Sequence, residues 1–262
     1  MTGPQALLGR GAVVTGGGRG IGAAVARALA AQGAGLVVAA RTAREIEEIA
    51  SELRERSITA WAITCDVTDE ASVIELGREA RRLLGSVDIL VNSAGESASA
   101  PLRKIALAEW ERMMDVNATG TFLCTREFAP EMAGRGWGRI VNVASIAGLE
   151  GAKYVSHYCA AKHAVVGFTR AVAAEFAGTG VTVNAVCPAY VDTPMTESTL
   201  ANVETRAGLS REEALAAVLA TSGQDRLLEP DEVAAAVLDL CAGGSGLNGQ
   251  AVLLKSGGAH SS

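Results

Sequence analysis

The chain has 262 residues, 49% of them hydrophobic and only 4% aromatic, with 30 glycines; that suits one large α/β domain with helices packed closely on a sheet. A formal net charge of −6 and a pI near 5.2 argue against nucleic acid or an anionic membrane as the main partner. No start-of-chain segment reads as a signal peptide, and the longest uncharged apolar stretch, residues 28–40, is broken by Gln32, Gly33 and Gly35 and is too short to span a bilayer.

Taken in order, Gly11–Thr15 (GAVVT) predicts a short buried strand. GGGRGIG follows at once over residues 16–22, and residues 23–32 then predict an alanine-rich helix closed by Gly33. Strand, glycine loop and helix make a phosphate-binding turn. Gly16, Gly18, Gly20 and Gly22 let the backbone approach a pyrophosphate, flanked by Arg19 and Ile21, and the helix start offers free N–H groups and a positive dipole. Residues 36–40 (LVVAA) form the second strand. NAD-selective dinucleotide folds place a carboxylate near the end of that strand to take the ribose 2′-hydroxyl. Here Ala40 and Arg41 stand there, with Arg19 as a second cation. Two arginines and no carboxylate favour the 2′-phosphate of NADP(H), with NAD(H) as the alternative.

Residues 42–56 predict an amphipathic helix and 58–64 a strand ending in Cys65, Asp66 and Val67. Asp66 accepts from an adenine amino group, caps the helix predicted over 69–84, or does both. Residues 87–91 (VDILV) make the fourth strand, closed by Asn92, Ser93, Ala94 and Gly95, small enough to let a dinucleotide lie against the sheet. Residues 109–132 read as one long helix, and Asn117 in its middle predicts a kink or a polar task. A strand over 139–144 ends at Ser145, and a helix from Tyr158 to about Phe176 follows. A strand over 181–186 runs into Cys187, Pro188, Ala189 and Tyr190. Residues 191–227 carry no strand pattern and predict a substrate lid with two short helices, in which Tyr190, Thr193, Pro194 and Met195 face cofactor or substrate. Pro230–Cys241 is a helix and 250–254 a last strand. Strands alternate with helices without a linker, so residues 1–262 are expected to form one doubly wound Rossmann-type domain around a parallel sheet of about seven strands.

The five cysteines, Cys65, Cys124, Cys159, Cys187 and Cys241, are scattered and without CxxC spacing; they read as reduced core thiols of a cytoplasmic protein. His157, His163 and His260 make no ligand-spaced cluster, so no metal is expected. The chemistry gathers at residues 143–162. Tyr158 and Lys162 are four apart, one turn above the other on a helix. Reducing a ketone needs hydride on carbon and a proton on oxygen. A tyrosine supplies the proton, a nearby lysine cation lowers its free pKa of about 10, and a serine hydroxyl steadies charge growing on the carbonyl oxygen.

TGGGRGIG over residues 15–22, Asn92-Ser93-Ala94-Gly95, Asn117, Ser145, Tyr158 and Lys162, in this order, resemble the short-chain dehydrogenase/reductase family from Arg10 to about Gly258. The resemblance implies a catalytic tetrad of Asn117, Ser145, Tyr158 and Lys162. In it Tyr158 is the acid–base, Ser145 binds the carbonyl, Lys162 also holds the nicotinamide ribose, and Asn117 fixes a water that extends a proton relay. It places Asp66 and Val67 at the adenine, and Val191 and Thr193 at the nicotinamide carboxamide. Asn92, Ala94, Gly95 and Pro188 complete the cofactor wall, and a homotetramer built through long helices is expected. VSHYCAAKHAVVGFTRA and VTVNAVCPAYVDTPM look like β-ketoacyl and polyketide ketoreductases. Ser93 replaces the family's usual second asparagine and Ala189 its glycine after proline. Gly136 and Thr179 stand where carrier-protein reductases often carry arginines, so delivery by an acyl carrier protein is not expected. Glu96, Lys153, His157 and Tyr190 border the pocket as solvated rim residues. The expected activity is NADP(H)-dependent interconversion of a ketone and a secondary alcohol, in the direction of reduction. The substrate is an acyl thioester, a polyketide-like ketone, or an alicyclic or aromatic one. The rivals are a dinucleotide-binding regulator without chemistry and an epimerase that uses hydride transiently.

Overall fold

Short valine-, leucine- and isoleucine-rich runs form the middle of a sheet in the computed structural model, which describes residues 6–242, 246–256 and 258–261; the ends of the expected domain, residues 1–5 and Ser262, lie outside it, as does the side chain of His260. The parallel strands are β1 (Gly11–Thr15), β2 (Gly35–Ala40), β3 (Ala60–Thr64), β4 (Ile89–Asn92), β5 (Gly138–Val143), β6 (Val181–Pro188) and β7 (Ala251–Lys255). They lie in the order β3-β2-β1-β4-β5-β6-β7. β1 and β4 are buried throughout, which is why they read as apolar runs without alternation. The chain builds outward from β1 to β3, then returns to lay β4 on the other side of β1, with Thr15 beside Asn92 in register. That reversal opens a crevice at the carboxyl ends of β1 and β4, where ligands bind in open α/β sheets. An eighth strand, β8 (Gly258–Ser261), turns back antiparallel on β7, pairing Lys255 with Gly258. Its sequence, GAHS, has no apolar alternation to announce it.

One face of the sheet carries α1 (Gly20–Ala31), α2 (Ala43–Glu55) and α9 (Pro230–Cys241); the other carries α3 (Glu70–Leu84), α5 (Gly120–Gly134) and α6 (Ser156–Glu175). α2 shows the logic of these helices: Ile46, Ile49, Ala50 and Leu53 recur at helical spacing and are buried, while the glutamates and arginines between them face out. The predicted helix over 109–132 is interrupted. α4 (Leu107–Met114) passes into a π-helical segment, Asp115–Thr119, before α5 resumes. The lid contains α7 (Pro194–Ala207) and α8 (Arg211–Ser222), at 14 and 12 residues longer than the two short helices expected. Leu200, Ala214 and Val218 form a small cluster of their own there, with Tyr190, Val203 and Leu215 packed on it. Among the described residues no helix is long and apolar enough to cross a membrane. All five cysteines are buried and unpaired by disulfides.

Candidate active site

A cleft of about 540 Å³ runs along the crevice from the glycine loop to the lid, within the range that holds a small-molecule ligand. Of the residues singled out above, Gly16, Gly18, Arg19, Gly20, Ile21, Gly22, Arg41, Asp66, Val67, Ala94, Gly95, Ser145, Tyr158, Lys162, Pro188, Val191 and Thr193 line it, as do Tyr190, Pro194, Met195 and Glu96.

The glycine loop turns tightly because it must. A Cβ on Gly22 would stand 2.2 Å from the Gly16 carbonyl oxygen, so only glycine lets α1 start so close under β1. Arg19 is the N-cap residue of α1, yet its side chain makes no cap bond and the first turn holds no acidic residue. The helix start therefore keeps the donors and positive dipole that suit a pyrophosphate. Across the crevice, Thr15 Oγ1 accepts from the backbone N–H of Ser93 (3.2 Å) and Ala94 (3.3 Å). Sequence reading passed over Thr15, although a threonine closing the first strand beside the loop was visible.

Asn92 stands behind this wall rather than in it. Its side chain is buried and donates to Asn142 Oδ1 (2.8 Å) and Thr125 Oγ1 (3.1 Å), while Asn142 donates to Thr169 Oγ1 (2.9 Å). The network ties β4, β5, α5 and α6 together beneath the cleft. Asn117 is likewise inside, fully buried in the π-helical segment. Its amide donates to the carbonyls of Glu96 and Met113, both at 3.0 Å, and its Oδ1 accepts from Glu96 N–H at 3.3 Å. The expected kink is real, and its polar task in this structure is to clamp the loop after β4. A Cβ on Gly95 would lie 2.9 Å from Asn117 Oδ1 and 3.4 Å from Lys162 Nζ, so glycine there lets amide, ammonium and loop meet.

Ser145 follows β5 in extended backbone, and its Oγ accepts from Ala147 N–H at 3.1 Å at the start of a 3-10 turn, Ile146–Gly148. That turn packs on α6, which presents Tyr158 and Lys162 from successive turns. The hydroxyls of Ser145 and Tyr158 share a hydrogen bond. Lys162 is 5% exposed and donates from Nζ to the Val143 carbonyl at 2.9 Å, with Nζ 5.8 Å from the Tyr158 ring centre. The sequence argument expected the lysine cation to lower the tyrosine pKa. The structure corrects that: burial pushes the Tyr158 phenol up to about 12, opposed by its hydrogen bond with Ser145. Burial also pulls Lys162 down to about 8. Desolvation outweighs attraction because the ammonium is turned to a backbone carbonyl.

Two other expectations change. No carboxylate was expected beside Arg41 and Arg19, but folding brings one to each: Glu96 Oε1 lies 2.9 Å from Arg41 and Glu45 Oε1 3.6 Å from Arg19. Asp66 does not cap α3, whose cap is Asp69 (3.0 Å to Ala71 N–H). Asp66 instead accepts from the N–H and hydroxyl of Thr68, which with nearby Arg41 hold its carboxyl below the usual range. Of the residues read as solvated rim, Lys153 is exposed and Tyr190 half-buried. His157 is fully buried, both ring nitrogens lack a hydrogen-bond partner, and Nε2 is 3.5 Å from Glu109. Its place inside α6's first turn, against α4, outweighs the polar side chain.

The lid is fastened by one side chain. Gln224 imitates a peptide unit: its Oε1 accepts from Tyr190 N–H (2.8 Å) and its Nε2 donates to the Tyr190 carbonyl (3.1 Å). Arg206 on α7 donates to the Ser99 carbonyl at 2.9 Å. The lid end of the cleft is lined by hydroxyls and amides (Ser97, Ser99, Ser198, Thr199, Asn202, Ser222), with Glu150 there too. None of these was separable from surface polarity in the sequence.

Residues 10–204 match the family described as short chain dehydrogenase. The cis-4-hydroxycyclohexanecarboxylate dehydrogenase of Sinomonas cyclohexanicum is 38% identical over 255 residues, covering 97% of this chain and 98% of that protein. The structure of a variant of actinorhodin polyketide ketoreductase with NADPH superposes with a TM-score of 0.90 at 37% identity, covering 95% of this chain and 96% of that one. The structure of levodione reductase also gives a TM-score of 0.90, at 30% identity, covering 96% and 98%.

Proposed function

Since the chain belongs to the short chain dehydrogenase family, we propose that it is an NADP(H)-dependent oxidoreductase that interconverts a ketone and a secondary alcohol, working as a reductase. The observation that carries the reading is the Ser145–Tyr158 hydroxyl pair on one cleft wall with buried Lys162 a turn beyond, in the same crevice as the uncapped start of α1. The residues fit a dinucleotide: N–H groups of the α1 start for the pyrophosphate, Asp66 and Val67 for the adenine, and Ala94, Gly95, Pro188, Val191 and Thr193 along the walls. A bound nicotinamide supplies or accepts the hydride. Ser145 donates a hydrogen bond to the carbonyl oxygen, and Tyr158 delivers the proton to it. A phenol held protonated up to about pH 12 is stocked for reduction at neutral pH and must be helped to ionise for oxidation. Lys162 gives that help when its ammonium leaves the Val143 carbonyl for the ribose and phenolate side. Asn117 acts as a positioning residue for the loop after β4 and for a water that refills the proton.

The substrate we propose is an acyl thioester, a polyketide-like ketone, or an alicyclic or aromatic one. The lid end offers hydroxyls and amides, and Lys162 is the one cation lining it. Glu150 adds negative charge there. Both features favour an uncharged ketone over a keto acid. Two of the similar proteins are named for reductases, of a polyketide and of levodione. A cytoplasmic location goes with five unpaired buried thiols. A homotetramer through α5 and α6 goes with Phe122, 40% exposed and edge-on to Phe168 at 6.2 Å.

The test follows nicotinamide absorbance with NADPH or NADH and a panel of ketones, wild type beside Tyr158→Phe. Turnover with NADPH preferred, falling about 10²–10⁴-fold in the variant, is expected. Turnover that survives the substitution removes Tyr158 from proton transfer. Within the panel, 4-oxocyclohexanecarboxamide is expected to give a higher kcat/KM than 4-oxocyclohexanecarboxylate. The reverse order overturns the preference for uncharged substrates.

A further inference from the structure

Glu96 is the residue after Gly95, and nothing in its neighbourhood leaves it free to move. Its backbone N–H and carbonyl are both bonded to the Asn117 amide. Its side chain, 21% exposed, reaches Arg41 at the end of β2 with one oxygen (2.9 Å) and Arg112 on α4 with the other (2.6 Å). The ion triad thus spans the cleft from the second strand to the helix after the fourth. Glu96, Arg41 and Asp66 all line the same stretch of wall. The charges lining this end are two arginines, Arg19 and Arg41, against three carboxylates, Glu45, Asp66 and Glu96. Arg41 is the cation nearest the place where the ribose of a dinucleotide meets the end of β2.

We infer that Glu96 is a cofactor-selectivity residue: it holds Arg41 in an ion pair that a ribose 2′-phosphate must break and a ribose 2′-hydroxyl need not. The inference rests on the dinucleotide reading of the cleft. A guanidinium with a carboxylate on it is a weaker anion site than a free one, because the incoming phosphate gains one charged hydrogen bond while another is lost. A 2′-hydroxyl, by contrast, finds an acceptor in the same carboxylate. Glu96 therefore lowers the preference for the phosphorylated cofactor below what two unpaired arginines would give. Arg112 works in the other direction. By taking one oxygen of Glu96 it dilutes the hold on Arg41, and without it the carboxylate would bind Arg41 alone.

The experiment measures binding of adenosine 2′,5′-bisphosphate and of 5′-AMP by calorimetry to the full chain, in wild type, Glu96→Gln and Arg112→Leu. These probes carry the adenosine end only, so the readout does not depend on turnover. Glu96→Gln is expected to tighten the bisphosphate about tenfold while 5′-AMP shifts by less than about twofold. Arg112→Leu is expected to weaken the bisphosphate and spare 5′-AMP. A merely structural role for Glu96 would move both ligands together. Parallel changes, no change, or weaker bisphosphate binding in Glu96→Gln overturn the inference and leave the dinucleotide reading standing. Failure of folded wild-type protein to bind either ligand overturns both.

Discussion

Lys162 is where residue identity and residue state part company. Its spacing from Tyr158 is plain in the sequence, and so is the chemistry the pair invites. What the sequence does not carry is how much water surrounds each group, so the direction of the tyrosine shift came out reversed. Lys162 falls from 10.5 to about 8 through burial, a cost to the folded state of about 3 kcal/mol at neutral pH. Its bond to the Val143 carbonyl returns about 1 kcal/mol. Lys162→Met is therefore expected to stabilise the protein by roughly 2 kcal/mol while removing activity, measured by urea unfolding and by turnover. The pH dependence has a fixed sign. Below about pH 8 the lysine is charged in both folded and unfolded chains and the full cost is present. Between there and 10.5 the unfolded chain holds more protons, so wild-type stability rises toward that of the variant. A gap that stays constant across this window would mean Lys162 is not desolvated as described.

At the scale of elements, strand and helix types were readable because their periodicities were clean, and boundaries moved by only a few residues. α1 starts at Gly20, inside the glycine loop, since glycine hides helix starts from propensity. The one misread helix, 109–132, failed at Asn117. A π-helical segment adds a residue to one turn, and the periodic pattern on either side gives no sign of it. Asn117→Ala would free the N–H and carbonyl of Glu96 and leave the Met113 carbonyl without its amide partner. The expected loss is about 2–4 kcal/mol, seen in chemical denaturation, together with weaker dinucleotide binding as the loop after β4 loosens. Asn117→Asp is expected to recover little, because the amide's two donations cannot be made by a carboxylate.

For the whole molecule, the order of the parallel strands was inferable from alternation and crossover rules, but β8 was not, since it is joined by backbone bonds alone. The Glu96–Arg41 bridge was equally invisible: its partners are 55 residues apart and meet only because β2 and β4 flank β1. Burial of every thiol is also a property of the complete fold. Desolvation raises Cys65, Cys124, Cys187 and Cys241, the last two to about 11 and 12. Native protein is expected to react slowly with a disulfide reagent at pH 8, and all five cysteines quickly in denaturant. Rapid labelling of the native chain would contradict the burial described. The lid stands apart from this shared interior. Leu200, Ala214 and Val218 pack on one another rather than on the sheet, and Gln224 ties the segment down at Tyr190. Mutations in α7 and α8 can therefore accumulate over generations without taxing the stability of the catalytic frame. Descendants of one ancestor could trade substrates by rewriting some thirty residues, keeping proton donor and cofactor seat as inheritance.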